Sequence, residues 1–319
     1  MKHGRRFPLL ILILVLLAPL LAGCQDALPG SHGMPSSAHA EAAPPSSYPD
    51  ATLLRSAGWL AEHLKDPNLR LIDASSLRDY EMGHIPGAVH MWWQDTIEVH
   101  NDVYGMLAGA DIRASLIRDA GITPSSEVVV YDGSGDRYAA RILWMLNAIG
   151  FQNVALLNGG RQGWQVNGGK LTTVTPKVAP GNLTQELNYN ALVTEQEVKA
   201  HLTDGSFILI DNRTPAELKQ TWYGHLRVGK IPGATIVPWS AVVDSGSVPY
   251  YQTASELRTL FAPAHLETNK TIVVYGIDGV EAAQTYVALR LLGYPDVRVY
   301  DGSWAEWGAD ASLPMSPLD

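Results

Sequence analysis

Two stretches of this chain have the layout that gathers backbone amides around a reactive group: a β-rich run, a tight loop, then a helix. Glu127 to Trp164 carries the loop Asp132-Gly133-Ser134-Gly135-Asp136-Arg137, and Thr271 to Gly308 carries Gly276-Ile277-Asp278-Gly279-Val280-Glu281. The first loop leaves two chemistries open. Asp132 is either a nucleophile with Arg137 holding a phosphate, or an acid that caps the helix behind it. The second loop places Asp278 and Glu281 at a helix N-terminus, where they suit the dipole but compete with any anionic ligand. Neither loop contains the chain's single cysteine, Cys24.

Cys24 closes an N-terminal segment with Lys2, Arg5 and Arg6 ahead of an apolar run from Phe7 to Leu21, too short for a comfortable bilayer span and fitting a secretory signal. The run ends in Leu21-Ala22-Gly23-Cys24, which resembles the lipobox of bacterial lipoproteins. That resemblance implies a lipidated Cys24, with residues 1–24 as the signal and several acyl chains as the anchor. Gln25, where Asp would imply inner-membrane retention, points to the periplasmic face of the outer membrane if the source is Gram-negative. Residues 25–49, rich in Pro, Ser, Ala and Gly, read as a flexible tether, and His32 and His39 within it as solvated side chains rather than metal ligands. The formal charge of −9 becomes −12 once the three cationic residues of the signal are removed, which argues against nucleic acid as a partner.

The elements that must position the loops come in two copies. "LRLIDASSLRDYEMGHIPGAVHMWW" from Leu69 answers to "FILIDNRTPAELKQTWYGHLRVGKIPGATIVPW" from Phe207, and the two loop stretches answer to one another. Each copy alternates short β-rich runs with helices of apolar periodicity, so an α/β fold is expected: two domains, each a mainly parallel sheet with helices on both faces. Their predicted extents are residues 50–172 and 190–319, joined by a polar linker over 173–189.

Gly83-His84-Ile85-Pro86-Gly87-Ala88, Gly229-Lys230-Ile231-Pro232-Gly233-Ala234 and Asp301-Gly302-Ser303-Trp304-Ala305-Glu306-Trp307-Gly308 carry a resemblance to tandem rhodanese-domain proteins of the thiosulfate and 3-mercaptopyruvate sulfurtransferase family. In that family the second domain holds a loop of the form Cys-x-x-Gly-Val-Thr/Ser-Ala, whose thiolate takes a sulfane sulfur as a persulfide. Gly276 stands at the position of that Cys, and Gly has no group able to carry sulfur. The resemblance further implies that the first domain's loop, with Asp132 in place of Cys, is non-catalytic. It also implies that Arg213, in Asp211-Asn212-Arg213, contacts an anionic substrate, against the alternative of a surface ion pair with Asp211 or Glu217. His84 reads as a structural residue of its turn, and the tryptophans at 92, 93, 144, 164, 239, 304 and 307 as core and domain-boundary packing.

The expectation is an envelope-anchored binding module that has kept the fold and lost sulfur transfer, needing no cofactor or metal, with a small anion or an envelope protein as partner. An active sulfurtransferase is the first alternative, and Asp132-dependent hydrolysis the second.

Overall fold

The structure is a computed structural model and describes residues 47–219 and 226–318. Cys24 and the signal lie outside the described residues, as does the tether up to residue 46. Of the last residues assigned to the tether, Tyr48 is packed: it is buried, and its hydroxyl donates to the carbonyls of Tyr251 (3.1 Å) and Gln252 (2.8 Å).

In the first repeat the strands are β1 (Leu54–Arg55), β2 (Leu69–Asp73), β3 (Val89–His90), β4 (Ile97–His100), β5 (Val103–Leu107), β6 (Glu127–Tyr131) and β7 (Val154–Leu157). Its helices are α1 (Ala57–His63), α2 (Leu77–Met82), α3 (Ala110–Asp119), α4 (Arg137–Ala148) and α5 (Gly160–Val166). The second repeat has β8 (Leu192–Val193), β9 (Phe207–Asp211), β10 (Thr235–Ile236), β11 (Thr271–Tyr275) and β12 (Val297–Tyr300). Its helices are α6 (Glu195–Ala200), α7 (Pro215–Leu218), α8 (Ala254–Phe261), α9 (Gly279–Leu291) and α10 (Ser303–Trp307).

Each repeat builds a parallel sheet, β1-β7-β6-β2-β3 and β8-β12-β11-β9-β10, and the two orders superpose element for element. The register repeats as well: Asp73 lies beside Tyr131, and Asp211 beside Tyr275. Both loops therefore leave the carboxyl end of a central strand, where ligands of open α/β sheets are bound. The first repeat adds an antiparallel hairpin, β4 with β5, turned by Asn101 and Asp102 at positive φ.

Strand side chains alternate between two buried faces, which is why these runs are almost continuously apolar. Leu71, Val129 and Tyr131 face an outer core with Leu60 of α1 and Trp164 of α5, and Leu209, Val273 and Tyr275 face its counterpart with Trp304 and Trp307. Ile72, Val128, Val130, Ile210, Ile272 and Val274 instead share one central core with α4 and α9. Two independent domains would each enclose a core of their own. The structure joins the inner faces of both sheets through α4 and α9, whose buried residues run almost all the way around each helix.

Candidate functional site

The second repeat's loop is fixed from below by the end of β11. Tyr275 donates its hydroxyl to Asp211 (2.8 Å) and accepts the Ile231 N–H of the Ile-Pro-Gly-Ala turn (3.0 Å). The Asp211 carboxylate also accepts Arg213 Nε (2.9 Å) and Nη2 (2.6 Å), and Nη2 reaches the Gly229 carbonyl (2.6 Å). The Arg213 guanidinium lies over Trp304, 4.4 Å from the ring centroid, and the residue is 1% exposed. Of the two readings of Arg213, the geometry has the pair with Asp211, in the interior rather than at the surface. Glu217 is engaged elsewhere, by Thr214 N–H (2.7 Å) and Trp239 Nε1 (3.3 Å). In the first repeat the equivalent Asp73 is neutralised from a different element, by Arg161 of α5 at 3.1 Å.

At Gly276 the N–H donates to Ser303 Oγ (3.1 Å) and the carbonyl accepts Trp304 N–H (3.0 Å). A Cβ at this position would stand 2.6 Å from Asn212 Oδ1 and 2.9 Å from the Asp278 carbonyl. Asn212 is fully buried; its Nδ2 donates to Thr285 Oγ1 (3.2 Å), and its Oδ1 has no partner. The amide thus occupies the space into which a side chain at 276 would project. Sequence reasoning missed this residue because the middle position of Asp-x-Arg carries no signal of its own.

Asp278 is the N-cap of α9, accepting Val280 N–H at 3.0 Å. Burial raises its pKa, against the lowering effect of that N–H and of Arg141. Glu281 is pushed up to about 8, first by burial and then by the Asp278 charge, with Arg137 at 3.8 Å opposing. The pair therefore retains a proton near neutral pH, and at this helix N-terminus the protein's own carboxyl groups stand where an anion would bind.

The first repeat closes over this loop. Arg141, fully buried in α4, donates to Asp301 Oδ1 (2.6 Å), Gly279 O (3.1 Å) and Gly105 O (3.0 Å) and stacks on Trp144. Asp301 Oδ2 accepts Leu107 N–H at the end of the β4–β5 hairpin (2.5 Å). Gly105, at φ +88°, is required there: a Cβ would sit 2.6 Å from that of Asp278. Arg137 lies over the rings of Tyr138 (4.4 Å) and Trp239 (5.2 Å), and Tyr138 stacks on Trp93. Arg137 of the first repeat thus meets Trp239 of the second across their boundary, while Trp144, Trp164, Trp304 and Trp307 are buried. Arg141 also went unread in the sequence, although an arginine amid "AARILWML" is a signal of a buried partner.

In the first repeat's loop, Asp132 is fully buried. Its Oδ1 accepts the N–H groups of Ser134 (2.6 Å) and Asp136 (3.0 Å), and its Oδ2 those of Tyr138 (2.9 Å) and Ala139 (3.0 Å). Burial raises its pKa against these four bonds. Both oxygens are fully engaged, so Asp132 caps the helix and presents no lone pair for attack. Arg137 faces Glu281 instead of this carboxylate. His84 bonds the carbonyls of Tyr80 (3.0 Å) and Val174 (3.1 Å) and stacks on Tyr80, holding its turn. Among the described residues no group of three or more His, Cys, Asp and Glu is disposed to hold a metal ion.

A family model described as the rhodanese-like domain matches residues 56–167 and again 194–310. The chain belongs to the rhodanese family. Among similar proteins, the sulfur carrier protein TtuD of Thermus thermophilus is 32% identical, across 84% of this chain and 98% of the relative. The 3-mercaptopyruvate sulfurtransferase of Escherichia coli K12 is 33% identical, across 82% of this chain and 97% of the relative. A solved 3-mercaptopyruvate sulfotransferase from Escherichia coli superposes on this rhodanese chain with a TM-score of 0.70 at 31% identity, covering 79% of this chain and 99% of that one.

Proposed function

We propose that this tandem rhodanese protein is a non-catalytic binding module of the bacterial cell envelope, lipid-anchored through Cys24 and, in a Gram-negative source, facing the periplasm from the outer membrane. One observation carries the loss of sulfur transfer: Gly276 has no thiol, and the buried Asn212 amide stands 2.6 Å from where its Cβ would be. Forming a persulfide needs a thiolate that displaces the leaving group of a sulfur donor, and neither loop has one. Asp278, Glu281 and the paired Arg213 also make the loop a poor receptor for a small anion. An envelope protein docking at the boundary between the repeats fits the loop better. No helix of the described residues is long and apolar enough to cross a membrane, so the anchoring reading rests on Cys24 and the segment before it.

The names of the relatives favour a second reading, sulfur transfer by this chain. The two separate in one assay: thiocyanate production from thiosulfate or 3-mercaptopyruvate with cyanide as acceptor, using the cysteine-free chain from residue 45 onward. The expected rate equals that of a heat-inactivated control. Turnover above it overturns the non-catalytic reading.

A further inference from the structure

A cavity of about 450 Å³ opens in the first repeat at the carboxyl ends of its strands, within the range of about 300–1,000 Å³ typical of ligand pockets. It is the counterpart of the loop site in the other repeat, built from different residues. Its wall is aromatic, with Trp92, Trp93 and Tyr138, the last two stacked with ring centroids 4.5 Å apart. Its uncharged polar surface is amide and hydroxyl, from Gln94, Gln162, Gln165, Ser75, Ser76 and Ser134, beside the charged Arg161 and Asp79.

The charges of the cavity disfavour an anion as its occupant. Arg161 is the one cation in the lining, and its Nη2 is spent on the buried Asp73 (3.1 Å) and on Ser75 Oγ (3.1 Å). Asp79, at the rim and bonded by the Ser76 hydroxyl (2.7 Å), balances Arg161 in the lining and adds a carboxylate that repels an anion. The lining nonetheless has hydrogen-bonding capacity to spare: the Gln94 and Gln165 amides and the Ser134 hydroxyl have no side-chain partner among the described residues, whereas the Gln162 amide is spent, its Nε2 on Gly133 O (2.9 Å) and its Oε1 closed off from the cavity. Ser75 Oγ accepts from Arg161, so its own proton has no acceptor among the described residues. Open amides and hydroxyls, which both donate and accept, suit a ligand whose groups do the same, as hydroxyls do, and an aromatic wall suits an apolar face.

We propose that this cavity is a binding site for a neutral saccharide, one sugar ring or two, stacked on Trp92 and hydrogen-bonded by Ser75, Ser134 and Gln94. None of its lining residues belongs to the Gly276 loop. The test titrates the purified protein with glucose, N-acetylglucosamine and the disaccharide of each, and separately with inorganic sulfate, read by tryptophan fluorescence and saturation-transfer NMR. The expected result is saturable binding of at least one sugar and none of sulfate. Trp92→Ala and Gln94→Ala should each weaken binding about tenfold, a factor worth about 1.4 kcal/mol, without displacing the thermal midpoint by more than a few degrees. If Trp92→Ala fails to fold, Gln94→Ala decides. Saturation by none of the four sugars, binding of sulfate in their place, or sugar affinity unchanged in the folded variants overturns the proposal.

Discussion

Gly276→Cys is the substitution that similarity to the sulfurtransferases invites, and the structure sets its cost. The new Cβ arrives 2.6 Å from Asn212 Oδ1, while ordinary van der Waals contact begins at 3.4 Å, so the amide must retreat by about 0.8 Å, the difference between the two. Asn212 is fully buried and tied to Thr285, with little room to move, so the change should destabilise by about 1–3 kcal/mol, as overpacking does. Asn212→Ala alone loses one neutral hydrogen bond, about 0.5–1.5 kcal/mol, and opens a small void. In the double variant the thiol fills that void, so the two costs should not add. A favourable coupling of about 1–2 kcal/mol is expected. Urea unfolding of the four proteins under reducing conditions, with equal m-values as the check on two-state behaviour, measures it. Additivity within about 0.5 kcal/mol would show that Asn212 is not in the way, and would refute the geometric account of why this loop holds no nucleophile.

Glu281, with a pKa near 8 in the fold against 4.5 as the ordinary value, keeps its proton in the folded state where the unfolded chain has lost it. Stability should therefore fall by about 1.4 kcal/mol per pH unit as pH rises through that window. Glu281→Gln should flatten this decline, gaining on the native protein between pH 5 and pH 8; parallel stability profiles for the two would count against a protonated Glu281. Asp132→Ala strands four backbone N–H groups and should destabilise by roughly 2–4 kcal/mol, with Asp132→Asn in between. Thermal melts of both variants check this, and a melt unchanged by Asp132→Ala would contradict the capping role. Cys24→Ala should abolish incorporation of a fatty-acid analogue and block signal processing; label retained by the variant would remove the anchor.

The duplicated pattern was readable because each element is specified locally: apolar runs ending in Asp or Tyr, Ile-Pro-Gly-Ala turns, and helices with apolar periodicity. The absence of a thiol was equally plain, since it needs only the identity of residue 276. What the sequence concealed depends on pairs distant along the chain. The Arg213–Asp211 pair is only two residues apart and was foreseen as one alternative, yet its burial depends on Trp304, some 90 residues away, covering the guanidinium. The single central core had a local sign that went unread: α9 has no wide polar face, and a helix apolar almost all round must be covered on every side. In a tandem chain the other repeat's matching helix can supply that cover. The β4–β5 hairpin had a sign too, Asn101-Asp102 between β-prone residues, but nothing local places its Gly105 against Asp278.

The two loops also differ in a way that bears on function. In the first, the carboxylate at the nucleophile's own position turns inward and takes four amides, whereas in the second that position is bare and the acids enter from two and five residues further on. A loop that had lost only its side chain would leave a void beside Gly276, and voids in a close-packed interior are costly. Asn212 fills that space, Asp278 caps the helix, and Gly105 admits the Asp278 side chain. Four positions on three separate elements are thus mutually adjusted around a missing thiol. That mutual fit is the physical ground for reading the second loop as a packed interior surface, and for seeking the protein's binding capacity at the boundary between the repeats and in the polar cavity of the first.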